Sequence, residues 1–188
     1  AKVLRSLAED TGKRIQVTYA THSPYFLEAR HFDQVRRLTR SADETPVVTV
    51  HFSNVEDVQT MLDGVVDAGQ IERQLDGIVT SRLAVALFAS RVLLVEGDTE
   101  VAVLYGIGDR EATGLLESKG LSIVSAGGKG GIPLAHAILT SLGIPTYAIF
   151  DGDNGFEARA KAVGKKQAVI DAERTKYSTE NRRLLKYF

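Results

Sequence analysis

Two acidic segments hold the residues of this chain best suited to chemistry. Val92-Leu93-Leu94-Val95-Glu96-Gly97-Asp98-Thr99-Glu100 and Ile149-Phe150-Asp151-Gly152-Asp153 each run from apolar residues straight into carboxylates beside a glycine. Each apolar run reads as a buried strand. Carboxylates at the ends of neighbouring parallel strands can converge on one point, and four there repel one another unless a cation sits among them. Hard divalent ions such as Mg2+ take oxygen ligands and commonly act on phosphates. The two segments therefore point to a divalent-metal site for phosphodiester chemistry.

Each residue also has a plainer reading. Glu96 directly follows its strand, at the carboxyl end where open parallel sheets bind ligands. Glu100 falls in the first turn of the next helix, where Asp98 suits an N-cap and Glu100 the positive end of the helix dipole. Asp151 and Asp153, two apart, face the same way if their segment is extended, which would bring both to one ion. The alternative is an ordinary Asp-Gly turn.

Between the two segments lies Ser125-Ala126-Gly127-Gly128-Lys129-Gly130-Gly131, after one strand and before a helix. Such glycines let backbone amides line an anion at a helix start, which makes Gly128 and Lys129 candidate phosphate contacts. The loop is not a Walker A motif, because the first glycine is missing and Gly130 stands where Ser or Thr belongs. Lys129 either touches a phosphate, balances the acidic cluster, or is a solvated lysine of a flexible loop. Further on, Phe156 to Phe188 holds nine Lys and Arg against four Asp and Glu. Lys165, Lys166, Arg182, Arg183 and Lys186 in that tail either follow a phosphate backbone or form a solvated helical face. His22, at a strand-to-turn junction, is structural or functional.

The elements that must position these groups follow from the pattern of the chain. Its 188 residues are 44% hydrophobic, enough for one ordinary domain or two small ones, and the net charge of −1 gives no global basic field. The absence of cysteine excludes disulfides, thiolate zinc sites and thiol catalysis, and fits a cytoplasmic protein. No apolar run nears the roughly 20 residues of a membrane span, and no signal-peptide pattern opens the chain, so no membrane partner is expected. The chain starts within a helical pattern and stops at Leu-Leu-Lys-Tyr-Phe without a closing signal, as expected of a fragment of a longer protein.

Val3, Leu4, Leu7 and Ala8 predict a helix, Ile15–Ala20 a strand, and Ser23-Pro24 the start of a helix through Tyr25, Phe26 and Leu27. Val35–Arg40 and Val47–Phe52 predict two strands. Asn54 caps a helix with Val55, Val58, Met61, Leu62, Val65 and Val66 at helical spacing, and Ile71, Leu75, Ile78 and Leu83–Ala89 continue helical. Then Arg91–Val95, Thr99–Ile107, Leu121–Ser125, Ile132–Leu142 and Thr146–Phe150 alternate strand and helix, which argues a parallel sheet with helical crossovers. The chain after Gly155 reads as charged helix.

The strand ending in Glu-Gly-Asp-Thr-Glu, followed some fifty residues later by Ile-Phe-Asp-Gly-Asp, resembles a Toprim domain. That domain is the metal-binding catalytic module of topoisomerases, bacterial primases, RNA maturases and OLD (overcoming lysogenization defect) nucleases. Thr18-Tyr19-Ala20-Thr21-His22-Ser23-Pro24-Tyr25-Phe26-Leu27 resembles the end of an ABC-type ATPase domain, in which the matching histidine senses the ATP γ-phosphate. An ATPase tail running into Toprim is the OLD arrangement, and Leu87-Phe88-Ala89-Ser90 is similar to that family too.

The resemblance implies an α/β fold: a Toprim-like parallel sheet flanked by helices, preceded by an ATPase-tail segment and followed by a helical insertion. It implies an ATPase tail over 1–53, a connector over 54–90, the Toprim domain over 91–155, and a basic helical segment over 156–188. Glu96, Glu100, Asp151 and Asp153 are then the expected catalytic metal ligands for two Mg2+ or Mn2+ ions. The expected activity is endonucleolytic cleavage of DNA, in anti-phage defence or repair, by a parent protein that forms homo-oligomers. No Walker A, signature or Walker B motif precedes His22, so ATP belongs only to the intact parent. In the family the Toprim fold resumes after the insertion with a further basic residue, and this chain is expected to stop inside that insertion. The alternatives are another Toprim activity (strand passage, primer synthesis or RNA maturation) and a non-catalytic DNA-binding module of the recombination-mediator type. None of the six tyrosines has the setting of a topoisomerase nucleophile.

Overall fold

The computed structural model describes residues 2–10, 12, 15–77 and 80–188. Helix α1 (Lys2–Glu9) opens the chain, and 3-10 turns at Pro24–Phe26 and Ala29–Gln34 follow. Strands β1 (Arg37–Arg40) and β2 (Val48–His51) pair antiparallel, with Leu38 opposite Val50. Helices α2 (Val55–Met61), α3 (Ala68–Gly77) and α4 (Thr80–Ala86) lead to the α/β region. That region comprises β3 (Arg91–Val95), α5 (Asp98–Glu111), α6 (Leu115–Ser118), β4 (Leu121–Ser125), α7 (Ile132–Ser141) and β5 (Thr146–Ala148). Helices α8 (Phe156–Ala162) and α9 (Gln167–Tyr187) complete the chain.

The alternation of apolar runs and helical segments gives the parallel sheet it predicts. Its order is β4-β3-β5, with β3 in the centre and both neighbours parallel to it. The register sets Val95 opposite Ser125 and Leu94 opposite Ala148, so all three strands finish at one edge. Val92, Leu94 and Val95 are buried, as a central strand requires. Helix α7 is apolar on nearly every side and buries Leu134, Ile138 and Leu139. The same core reaches Phe32, Val58, Leu62 and Ile71 from earlier in the chain. Among the described residues no helix is long and apolar enough to cross a membrane.

Asn54 caps α2 as its sequence predicts: its side-chain oxygen accepts the Asp57 N–H at 2.7 Å, and Asp57 accepts the Asn54 N–H at 3.2 Å. Three local expectations fail. Ile15–Ala20 is irregular chain rather than a strand, since β-branched residues make a strand only where a neighbour completes their hydrogen bonds. The helix after Ser23 is one 3-10 turn with Tyr25 exposed. Strand β5 ends at Ala148, short of Phe150, so Asp151 and Asp153 leave the sheet in a turn. Ile78 lies outside the described residues.

Candidate functional site

The edge where β3, β4 and β5 finish fixes Glu96 by its backbone first. The Ala126 N–H donates to the Val95 carbonyl at 2.8 Å, and the Gly128 N–H to the Glu96 carbonyl at 2.7 Å. The Glu96 carboxylate then reaches across to the next strand end and accepts the Asp151 N–H at 2.6 Å. A charge-assisted bond of that length ties the two acidic segments together.

The Asp-Gly-Asp segment is a turn, the plainer of its two readings. The Asp151 carboxylate accepts the Asp153 N–H at 3.0 Å, an Asx-type contact, and Asp153 has a left-handed backbone (φ 57°) that aspartate tolerates. The two carboxylates therefore do not share a direction through strand alternation. Asp151 stays exposed, while Asp153 turns inward onto Lys129.

Lys129 is the surprise of the site. Its side chain is only 4% exposed. Its ammonium donates to Asp153, donates to the Asn181 side-chain oxygen at 2.8 Å, and lies 3.9 Å from the Glu96 carboxylate. The Tyr177 ring centroid is 5.9 Å away. Asn181 in turn donates to the Gly152 carbonyl at 3.0 Å, so α9 closes over the acidic turn.

The glycine loop exists to place that lysine. Gly128 (φ 114°) turns the chain, and a Cβ on Gly131 would lie 2.2 Å from the Ala126 carbonyl oxygen, so only glycine allows the approach. The amides of Gly127 and Gly131 donate within the loop, to Ser125 Oγ and Gly128 O, and that of Gly128 to the Glu96 carbonyl at the end of β3. Those amides do not line an anion. The loop instead presents a buried cation to the acidic cluster.

The other residues singled out in the sequence lie further out. Glu100 caps its own helix, accepting the Gly97 N–H at 3.0 Å, and is exposed. Gly97, not Asp98, is the N-cap of α5; Asp98 begins that helix and pairs with Arg82 at 2.7 Å. Lys165 donates to Glu173 at 2.7 and 3.0 Å, and Lys166 stands exposed at the start of α9. His22 is exposed in the bend before the first 3-10 turn.

A hollow of about 710 Å³ opens beside Glu96, Lys129 and Asp153, walled also by Arg73, Lys176 and Tyr177. A smaller one of about 250 Å³ shares Asp153 and Tyr177 and extends to Lys165. Asn181, Tyr177 and Arg73 carry no motif. Only the packing of α3 and α9 against the sheet edge reveals them.

Burial pushes the Glu96 carboxyl above its usual range, and the charges of Asp153 and Asp151 add to the rise. The Asp151 N–H and the Lys129 ammonium pull the other way. Among the described residues no three Asp, Glu or His side chains converge as a ready ion site. The donors at this corner are nonetheless all carboxylate oxygens, the chemistry a hard cation requires. A unit positive charge already stands among them, so the site fits a cation and at present satisfies that need with Lys129.

A parallel sheet with a glutamate at the end of its central strand and an Asp-x-Asp just past its edge strand defines a Toprim-type α/β domain. Residues 87–153 match the family described as overcoming lysogenization defect protein-like, TOPRIM domain, and that stretch is an OLD-like Toprim domain. It is 33% identical over 151 residues to the OLD nuclease of Thermus scotoductus, covering 79% of this chain and 27% of that protein. It is 28% identical over 152 residues to the Old nuclease of Escherichia phage P2, covering 80% of this chain and 24% of that one. The chain spans about a quarter of the length of these curated relatives.

Proposed function

We propose that this chain carries the catalytic corner of a metal-dependent DNA endonuclease within a longer, ATPase-coupled protein. The observation that supports this most is the Glu96–Asp151 hydrogen bond, which joins the two acidic strand ends into one corner beside an open hollow. Glu96, Asp151 and Asp153 would hold Mg2+ or Mn2+, and Glu100 would join them by giving up its cap. Two such ions, when bound, activate water and neutralise charge on the phosphate. Glu96, with its carboxyl raised by burial, is suited to take the proton of the attacking water. Arg73, Lys129 and Lys176 supply the cationic groups of a hollow that also holds Glu96, Asp153 and Glu180, and with a metal ion on the carboxylates they would be the contacts for a phosphodiester strand, with Lys165 past Asp153.

In the parent protein His22 would be the ATP-sensing switch, with the domain limits as the sequence implies. Homo-oligomers, a cytoplasmic location and a role in anti-phage defence or repair belong to the same proposal. The second reading is a non-catalytic DNA-binding module; it is favoured by Lys129 already balancing the corner and Glu100 turned away. Supercoiled plasmid with Mn2+ separates the two. Nicked and linear products that vanish in Glu96→Gln and Asp151→Asn support the nuclease. Relaxed closed circles would mean strand passage, and equal cutting by the variants would remove these residues from the chemistry.

A further inference from the structure

The metal reading leaves unexplained why a lysine is buried among the proposed ligands. A divalent ion and the Lys129 ammonium cannot both hold Asp153 without strong repulsion between them. Asp153, Asp151 and Glu96 without any cation would repel one another in a partly buried corner. A positive centre must therefore be present, and Lys129 and a metal ion cannot share Asp153.

The loop that carries Lys129 leaves open space beside three of its glycines. Around Gly127, Gly128 and Gly130 the space that a Cβ would occupy is open to 4 Å, so nothing packs against the chain on that side. Gly131, in contrast, is pressed onto the Ala126 carbonyl and anchors the start of α7. The 710 Å³ hollow adjoins the ammonium and can receive it. Asn181, which donates to Gly152 and accepts from Lys129, holds the lysine in the inward position without adding charge.

We propose that Lys129 is a tethered counter-cation: it holds the acidic corner in the metal-free protein and is exchanged for a divalent ion, its ammonium turning into the hollow. Lys129 is on this view a positioning residue whose removal helps metal bind. The inference rests on the metal reading of the corner, and the experiment separates the two.

Mn2+ is titrated calorimetrically into the full chain and into Lys129→Met and Asn181→Ala, and each melting temperature is read in EDTA and in Mn2+. Lys129→Met is expected to bind Mn2+ about tenfold tighter or more, the effect of one unit charge at 4–6 Å on a neighbouring ionisation. It should melt lower than the parent in EDTA and gain more from Mn2+. Asn181→Ala removes one hydrogen bond from the inward lysine and should bind Mn2+ about threefold tighter. Should Lys129→Met fail to fold, Asn181→Ala decides alone. If the parent chain binds Mn2+ and these variants bind it equally or more weakly, the exchange is overturned and the metal reading stands. If none of the three binds Mn2+, both fall.

Discussion

Lys129 and Lys165 are both held by carboxylates, yet their surroundings make them different objects. The Lys129 side chain is 4% exposed and faces Asp153, Glu96 and Asn181 from a glycine loop. The Lys165 side chain is 41% exposed and pairs with Glu173, on a helix at the surface. Water and salt screen the second pair, so it adds little. The first lies where the local dielectric is low, so losing either partner leaves a buried charge without its ion pair. The comparison teaches that the acidic corner is a balanced charge system, while the basic tail is mostly solvated helix.

The largest effect that would test this contrast is Asp153→Ala, which takes from Lys129 its ion-pair partner. It should cost about 3 kcal/mol in urea unfolding of the metal-free chain. A cost under about 1 kcal/mol would place the corner with ordinary surface pairs. Next comes Gly131→Ala. Its methyl group would press on the Ala126 carbonyl, shift the loop and lower stability by about 2 kcal/mol. No change would show that the loop is not what seats Lys129.

His136 gives a third setting, half-buried and with its pKa lowered. Burial lowers its pKa below 6.5, against the pull of the Thr146 carbonyl. That carbonyl can only accept, so Nε2 donates to it at 3.2 Å, and Nδ1 accepts from the Tyr187 hydroxyl at 2.9 Å. Tyr187 is itself pushed up to about 12 by burial, so its hydroxyl stays protonated. The unfolded chain takes up a proton near pH 6.5 and the folded chain only at lower pH. Between those values the unfolded state binds more protons, so stability falls as pH falls. His136→Gln should flatten the slope of unfolding free energy just below pH 6.5; an unchanged slope would mean that His136 titrates normally. The smallest effect belongs to Lys165→Ala, which should leave the melting temperature unchanged at physiological salt.

Much of this was legible in the sequence because it depends on local pattern. Val92–Val95, Leu121–Ser125 and Thr146–Ala148 are apolar runs separated by helical spacing, and the sheet follows from them. Glu96 at a strand end and Asn54 at a helix start are set by their neighbours in the chain. What was not legible depends on long-range closure. Asn181 lies 52 residues from Lys129, and only the docking of α9 brings them together. The inward turn of Asp153 depends on a left-handed residue that strand alternation does not anticipate. Glu100 shows the limit of motif reading: one side chain suits both an ion and a helix end, and in this structure it serves the helix. Ile15–Ala20 has strand composition but no neighbouring strand among the described residues.

The central claim is that this corner holds one kind of cation or another, lysine or divalent metal. The most direct measurement is a crystal structure of the chain grown with Mn2+ and read by anomalous scattering. A peak is expected among Glu96, Asp151 and Asp153, with the Lys129 ammonium withdrawn from Asp153. A corner without a peak at saturating Mn2+, and with Lys129 still on Asp153, would contradict it.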